Sequence, residues 1–113
     1  MIHTVSLKLN KEFKRVYSRG KNSAGSYVVV YALKNRHFAG TRLGITVSKM
    51  IGNAVTRNRI KRLVRECYRK YELNVKVGYD IVIVSRKRAV GKTFDQMYKD
   101  LGYAMRNCNL LDE

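Results

Sequence analysis

The chain has 113 residues, 45% of them apolar, with 24 lysines and arginines against 8 acids, a formal charge of +16 and a pI near 10.3. That length and apolar content exclude a disordered polyelectrolyte and fit one domain, residues 1–113, with its own core. The charge makes nucleic acid the leading class of partner, and with no stretch long and apolar enough to span a bilayer, an anionic membrane is the weaker candidate.

The opening MIHTVSLKLN carries no apolar core of signal-peptide type, so the expected location is cytoplasmic. Asn10 then leads into KEFKRVY, where Phe13, Val16 and Tyr17 fall at i, i+3 and i+4 and Gly20 supplies a stop. This predicts a short helix. Val16 and Tyr17 read as core, whereas Phe13 is free to line a groove. Residues 21–25 are polar and turn-like, with room for a very short strand. Residues 27–33 (YVVVYAL) predict a strand with Tyr27, Val29, Tyr31 and Leu33 on one side and Val28, Val30 and Ala32 on the other. KNRHFAG reads as a hairpin connection, and Thr41–Val47 (TRLGITV) as the returning strand.

The densest feature comes next. Residues 49–70 hold eight of the 24 basic residues, Lys49, Arg57, Arg59, Lys61, Arg62, Arg65, Arg69 and Lys70, with only Glu66 to oppose them. Asn53, directly after Gly52, suits an N-cap, because its side chain can accept from an unpaired N–H of the first turn. At about 100° per residue, Ile60, Leu63, Val64, Cys67 and Tyr71 gather on one face, and Asn58, Lys61, Arg62, Arg65 and Arg69 on the other. A basic face is ordinarily just solvated. Glu66 stands four residues from both Arg62 and Lys70, which gives those two cations a local partner. Arg57, Lys61, Arg65 and Arg69 instead form an i, i+4 ladder of like charge, each step costing about 0.2–0.5 kcal/mol. Arg57 also opposes the helix dipole. Such a broken local rule is expected where function supplies the missing partner, and a ladder rising about 6 Å per step suits a row of phosphates.

Residues 72–78 read as a loop, and Tyr79–Ser85 (YDIVIVS) as a buried strand, apolar on both faces. Strand, helix and strand in that order make a βαβ unit. Arg86, Lys87 and Arg88 follow as a loop cluster, either solvated or a second phosphate contact. Thr93 and Gln96 form a capping box that opens a last helix. Its stripe of Phe94, Met97, Tyr98, Leu101, Ala104, Met105 and Cys108 is core, and Gly102 within it implies close packing.

Catalytic chemistry finds no footing in the side chains. Cys67 and Cys108 sit at apolar helical positions and read as buried free thiols. His3 and His37 lack metal-ligand spacing and read as surface residues, so no metal site is assigned. The acids are scattered, with Asp112 and Glu113 the only adjacent pair, which counts against a two-metal nuclease acting alone. Neither Gly52 nor Gly91 stands in a GxxxxGK[ST] frame. The chain reads as a binder that leaves chemistry to a partner.

GNAVTRNRIKRLVRE resembles the arginine-rich signature of the bacterial ribonuclease P protein subunit, and the order helix, three strands, basic helix, strand, helix corresponds to that family over nearly the whole chain. The resemblance implies a compact α+β domain of sandwich-like layers, with a four-stranded sheet and a βαβ crossover that is left-handed in this family, against the usual rule. It also implies a catalytic RNA as partner. Together they would remove the 5′ leader from precursor tRNA, with Mg2+ held at the RNA active site; no cofactor is assigned to the protein, and whether a metal ion touches Asn58 is left open by the sequence. Lys49, Gly52, Asn53, Ala54, Arg57, Asn58, Arg59, Lys61, Arg62 and Arg65 match the signature. Phe13, Tyr17 and Tyr31 match the aromatic positions of the cleft that grips the single-stranded leader, where stacking of each base is worth about 1–3 kcal/mol. Arg69 rests on the ladder alone. Met50 departs from the family by standing where many relatives carry a cation, and Lys8 is the one lysine or arginine in the first ten residues. No obligate protein partner is implied. The rivals are a structural RNA binder of ribosomal type and a DNA-binding module with its helix in the major groove, which would have no use for rings spaced to stack single-stranded bases.

Overall fold

A computed structural model describes residues 1, 3–36 and 40–112. The elements are β1 (Thr4–Ser6), α1 (Asn10–Arg19), β2 (Lys21–Ala24), β3 (Val28–Lys34), β4 (Thr41–Val47), α2 (Ala54–Tyr71), β5 (Tyr79–Ser85) and α3 (Phe94–Asn107). Short 3₁₀ turns occupy Lys49–Ile51, Glu72–Asn74 and Lys87–Ala89, so the expected loop at 72–78 begins as a helical turn. The α+β domain is as expected. Its sheet is not, for it has five strands in the order β1-β4-β5-β3-β2. The strand missing from the sequence reading is β1, whose three residues pair parallel with Thr41, Arg42 and Leu43. Three residues at a sheet edge are too few to show alternation.

Strand β5 lies at the centre of the sheet, parallel to β4 and antiparallel to β3. The βαβ unit β4–α2–β5 is therefore present, while the expected hairpin between β3 and β4 is not: β5 separates them. Within KNRHFAG, residues 37–39, including His37, lie outside the described residues, as does Glu113. The cause of the inserted strand is legible afterwards. Ile81, Val82 and Ile83 are all fully buried, and a strand apolar on both faces needs neighbours on both edges and cover on both sides.

The two faces of the sheet carry separate cores. Val28, Val30, Ala32, Leu43, Ile81 and Ile83 pack under α2 and α3. Leu7, Val16 and Val82 make a smaller core under α1, with Phe13, Tyr31, Leu33 and Val84 at its margin. Helix α2 contributes Ile60, Val64, Cys67, Tyr68 and Tyr71. Tyr68, whose hydroxyl lies 3.1 Å from Thr4 Oγ1, is a buried member that the sequence reading passed over. The expected stripe of α3 is buried at Met97, Leu101, Ala104, Met105 and Cys108. Its capping box is formed, Gln96 N–H donating to Thr93 Oγ1 and Thr93 N–H to Gln96 Oε1.

Tyr27 departs from the predicted alternation and packs on the α2/α3 side, not beside Tyr31. The reason is Asp100 of α3, whose carboxylate accepts the N–H groups of Ser26, Tyr27 and Val28 at 2.7, 2.8 and 3.0 Å. That capture ends the strand at Val28. Leu9 is the N-terminal cap of α1, its backbone N–H donating to Glu12 Oε1 at 3.1 Å. His3 is half-buried rather than a plain surface residue, and its N–H donates to Glu72 Oε2 at 3.3 Å. Both cysteines are free and buried. Burial pushes the Cys67 thiol up to about 12 and raises that of Cys108, so neither is a ready nucleophile.

Gly102 now has a reason. A Cβ there would lie 2.1 Å from the Tyr71 hydroxyl, which donates to Tyr98 O at 2.9 Å while the two rings stack at 4.3 Å. Glycine to alanine in a helix interior ordinarily stabilises by about 1 kcal/mol. Gly102→Ala is expected to do the reverse, costing about 1–3 kcal/mol as overpacking does, read as a lower urea midpoint with an unchanged slope.

Candidate nucleic-acid interface

Helix α2 starts as its sequence implies. Asn53 Oδ1 accepts the Thr56 N–H at 2.9 Å. The preceding turn Lys49–Ile51 is capped by Ser48, whose hydroxyl accepts the Met50 N–H. Lys49, Asn53, Asn58, Arg59, Arg62, Arg65 and Arg69 are exposed, and Arg57 and Lys61 are half-buried. All nine stand on α2 or the turn that leads into it.

The ladder survives in part. Glu66 pairs with Arg69, at 2.9 Å, and not with Arg62 or Lys70 as four-residue spacing suggested. On a helix surface the third and fourth neighbours are both within reach, and an ion pair exposed on both sides contributes only about 0–1 kcal/mol. Arg57 Nη1 donates to Gly52 O at 2.9 Å, which folds it back over the start of its own helix. Lys61 and Arg65 make no ion pair among the described residues. They are the rungs whose charge no described acid neutralises.

On the other side of the sheet, α1 carries Phe13 and Tyr17 to Tyr31 of β3. Ring centroids are 6.5 Å apart for Phe13–Tyr17 and 4.9 Å for the edge-on pair Tyr17–Tyr31. Val16 is fully buried as expected, but Tyr17 is 39% exposed and belongs to the surface. Phe13 and Tyr17 border open space, while Tyr31 packs against the small core. One groove of about 430 Å³ runs between β1, β4 and Phe13 and is lined also by Arg65 of α2. A second, of about 310 Å³, lies between Phe13, Tyr17 and Thr46. The aromatic side of α1 and the basic helix therefore share a lining at Phe13 and Arg65.

Three residues of β4 set this arrangement, and the sequence reading assigned none of them. Alternation in TRLGITV puts Arg42, Gly44 and Thr46 on one face, the face toward α1. Arg42 grips Asp80 through two hydrogen bonds, Nε to Oδ1 at 2.9 Å and Nη2 to Oδ2 at 2.7 Å, and its Nη1 pairs with Glu12 Oε2 on α1. Asn35 adds a bond to Asp80 at 2.9 Å. At Gly44 the Phe13 ring lies directly on the backbone, for a Cβ there would come within 2.4 Å of it. Thr46 lies beside Phe13 and Tyr17, its Oγ1 buried without a hydrogen-bond partner among the described residues. A charged residue within an otherwise apolar strand was the signal available for Arg42.

Arg86, Lys87 and Arg88 are exposed, and Arg86 Nη1 donates to Gly25 O at 2.9 Å. The residues that follow line a small recess with Thr56, Arg59 and Leu63 of α2, so this loop flanks the first turns of the basic helix.

The model of the Ribonuclease P family matches residues 1–109. The chain belongs to the ribonuclease P protein family. Among its relatives, the ribonuclease P protein component of Clostridioides difficile is 42% identical over 105 residues, 92% of this chain and 88% of that one. The fold of the Staphylococcus aureus RNase P protein superposes with a TM-score of 0.86 at 34% identity, covering 95% of this chain and 97% of that one. The RNase P protein of Thermotoga maritima gives 0.77 at 32% identity over 87% and 92%. The resemblance carried by the α2 signature thus extends to the whole domain. No described helix is long and apolar enough to cross a membrane.

The link between α1 and the sheet titrates. The Leu9 N–H, and then the Arg42 guanidinium, hold the Glu12 carboxyl below its ordinary 4.5 against the opposing effect of burial. A depressed carboxylate contributes stability that is complete above its unfolded value and is lost as pH falls through the folded one. Urea unfolding from pH 7 to pH 3 should therefore show a smaller acid loss for Glu12→Gln than for the natural chain.

Proposed function

We propose that the chain is the RNA-binding protein subunit of a ribonuclease P holoenzyme, which removes the 5′ leader from precursor tRNA. In this reading the basic side of α2, centred on Lys61 and Arg65 with Lys49, Asn53, Arg57, Asn58, Arg59, Arg62 and Arg69 around them, binds RNA: the catalytic RNA, and at Arg65 the leader phosphates as well. The leader lies single-stranded in the cleft of Phe13, Tyr17 and Tyr31. The observation that carries it is the groove lined jointly by Phe13 and Arg65, because an aromatic platform beside a phosphate-seeking cation is what an unpaired strand needs. Family membership supports the same reading.

The side chains argue for a division of labour. Among the described residues no three His, Cys, Asp or Glu side chains cluster for a metal, and the Glu12 and Asp80 carboxylates are engaged by Arg42. In this reading the Mg2+ that phosphodiester hydrolysis uses is held by the RNA partner. The protein contributes position: Phe13 and its neighbours fix the leader by stacking, and the cations lower the repulsion between two RNA backbones. In the same reading Arg86, Lys87 and Arg88, exposed next to the residues that flank the first turns of α2, supply a secondary phosphate contact.

The test is reconstitution. The protein alone should cleave nothing, and with its cognate catalytic RNA at low magnesium it should restore 5′ trimming of precursor tRNA. A structural RNA binder of ribosomal type would give no rescue, and that result overturns the proposal. Reversing Lys61 and Arg65 to Glu should weaken assembly with the catalytic RNA. Phe13→Ala should cost about 1–3 kcal/mol of affinity for leader-bearing substrate and leave leaderless tRNA untouched. Gly44→Ala, by lifting the Phe13 ring off the sheet, should reproduce that loss and add nothing to it in the double variant.

A further inference from the structure

Helix α1 is a ridge with a groove on each side, and only one has been given a role. At about 100° per residue, Asn10, Phe13, Lys14 and Tyr17 share the aromatic side, while Glu12, Arg15 and Arg19 face the opposite way. The groove on that far side holds about 450 Å³ between α1 and the end of β3, with Leu33 and Asp80 in its floor. Four cations line it: Arg15 and Arg19 from α1, Lys34 and Arg36 from the other wall.

None of the four makes an ion pair among the described residues. Asp80, the carboxylate that lines the groove, is taken by Arg42 and also receives Asn35, and Glu12 on α1 is taken by Arg42 as well. Arg42 thus removes the negative charge from the floor and leaves the walls unopposed. Lys11, Arg15 and Arg19 also repeat, on α1, the four-residue spacing of like charge found on α2. Each such step costs about 0.2–0.5 kcal/mol, and the helix dipole offsets it at Arg19 alone. The helix breaks the same local rule in a second place, and the groove is concave where a solvated face is convex.

We propose that this groove is a second anion site, which takes a run of RNA phosphates separate from the strand in the aromatic cleft. The spacing of Arg15 and Arg19, about 6 Å along the axis, fits successive phosphates on one wall, and Lys34 and Arg36 close the other. The phosphates come from the catalytic RNA or from the leader upstream of the cleft, and the two sources separate by experiment.

Arg19, Lys34 and Arg36 are exposed, so Arg19→Gln, Lys34→Gln and Arg36→Gln, singly and together, should fold with unchanged melting temperature. Affinity is measured against salt in two titrations: protein with catalytic RNA alone, and holoenzyme with precursor tRNA of long or short leader. The triple variant should flatten the slope of log affinity on log salt by about 2, at about 0.7 per lost single-strand contact, in one titration or the other. Loss in the first assigns catalytic RNA, and loss confined to long leaders assigns the leader. The Arg19→Lys, Lys34→Arg and Arg36→Lys variant should keep the natural slope. The Lys61 and Arg65 reversal is run beside them. If it flattens the slope and the groove variants do not in either titration, the second site is overturned while the subunit assignment stands. If neither does, both fall.

Discussion

Arg42 holds this molecule's functional side together. From one strand it reaches Asp80 on the neighbouring strand with two hydrogen bonds and Glu12 on α1 with a third contact. Its guanidinium, further raised in pKa by Asp80 foremost, never gives up its charge. The pair is largely shielded, Asp80 being 4% exposed, and removing one member of so buried a set costs about 3–5 kcal/mol because the other is left uncompensated. The small core under α1 has few fully buried residues, so this polar tie governs where the helix sits.

Once α1 is tied at Glu12, its next residue is placed too. Phe13 falls over Gly44, the β4 position where a side chain would meet its ring, and Tyr17 one turn later meets Tyr31. The helix then crosses the sheet as a ridge, with aromatic rings on one flank and arginines on the other. On the opposite face, α2 and α3 bury a large core and present cations outward.

A net charge of +16 repels itself, and the chain spends few of its acids on relieving that. Glu12 and Asp80 serve Arg42, Asp100 captures three backbone N–H groups, and Glu66 pairs weakly with Arg69. Among the described residues, Arg42 and Arg69 make ion pairs, and much of the remaining positive charge faces solvent. Such a surface is stable because the cores carry the fold, and it is ready for a polyanion because nothing inside has neutralised it.

The residues by themselves determined whatever depends on near neighbours. Asn53 and the Thr93–Gln96 pair were legible as caps, α2 and α3 as amphipathic helices, and β3, β4 and β5 as strands, because hydrogen bonding at a helix end and burial of a face act within a few positions. The signature in α2 was legible for the same reason. The tertiary structure alone decided that β5 lies between β3 and β4, that three residues at the edge form β1, and that Glu66 turns to Arg69. It also decided that Arg42, Gly44 and Thr46 shape the cleft. Each is a choice among partners distant in sequence or nearly equal in reach, settled by which arrangement covers both faces of a wholly apolar strand and leaves no buried carboxylate unpaired.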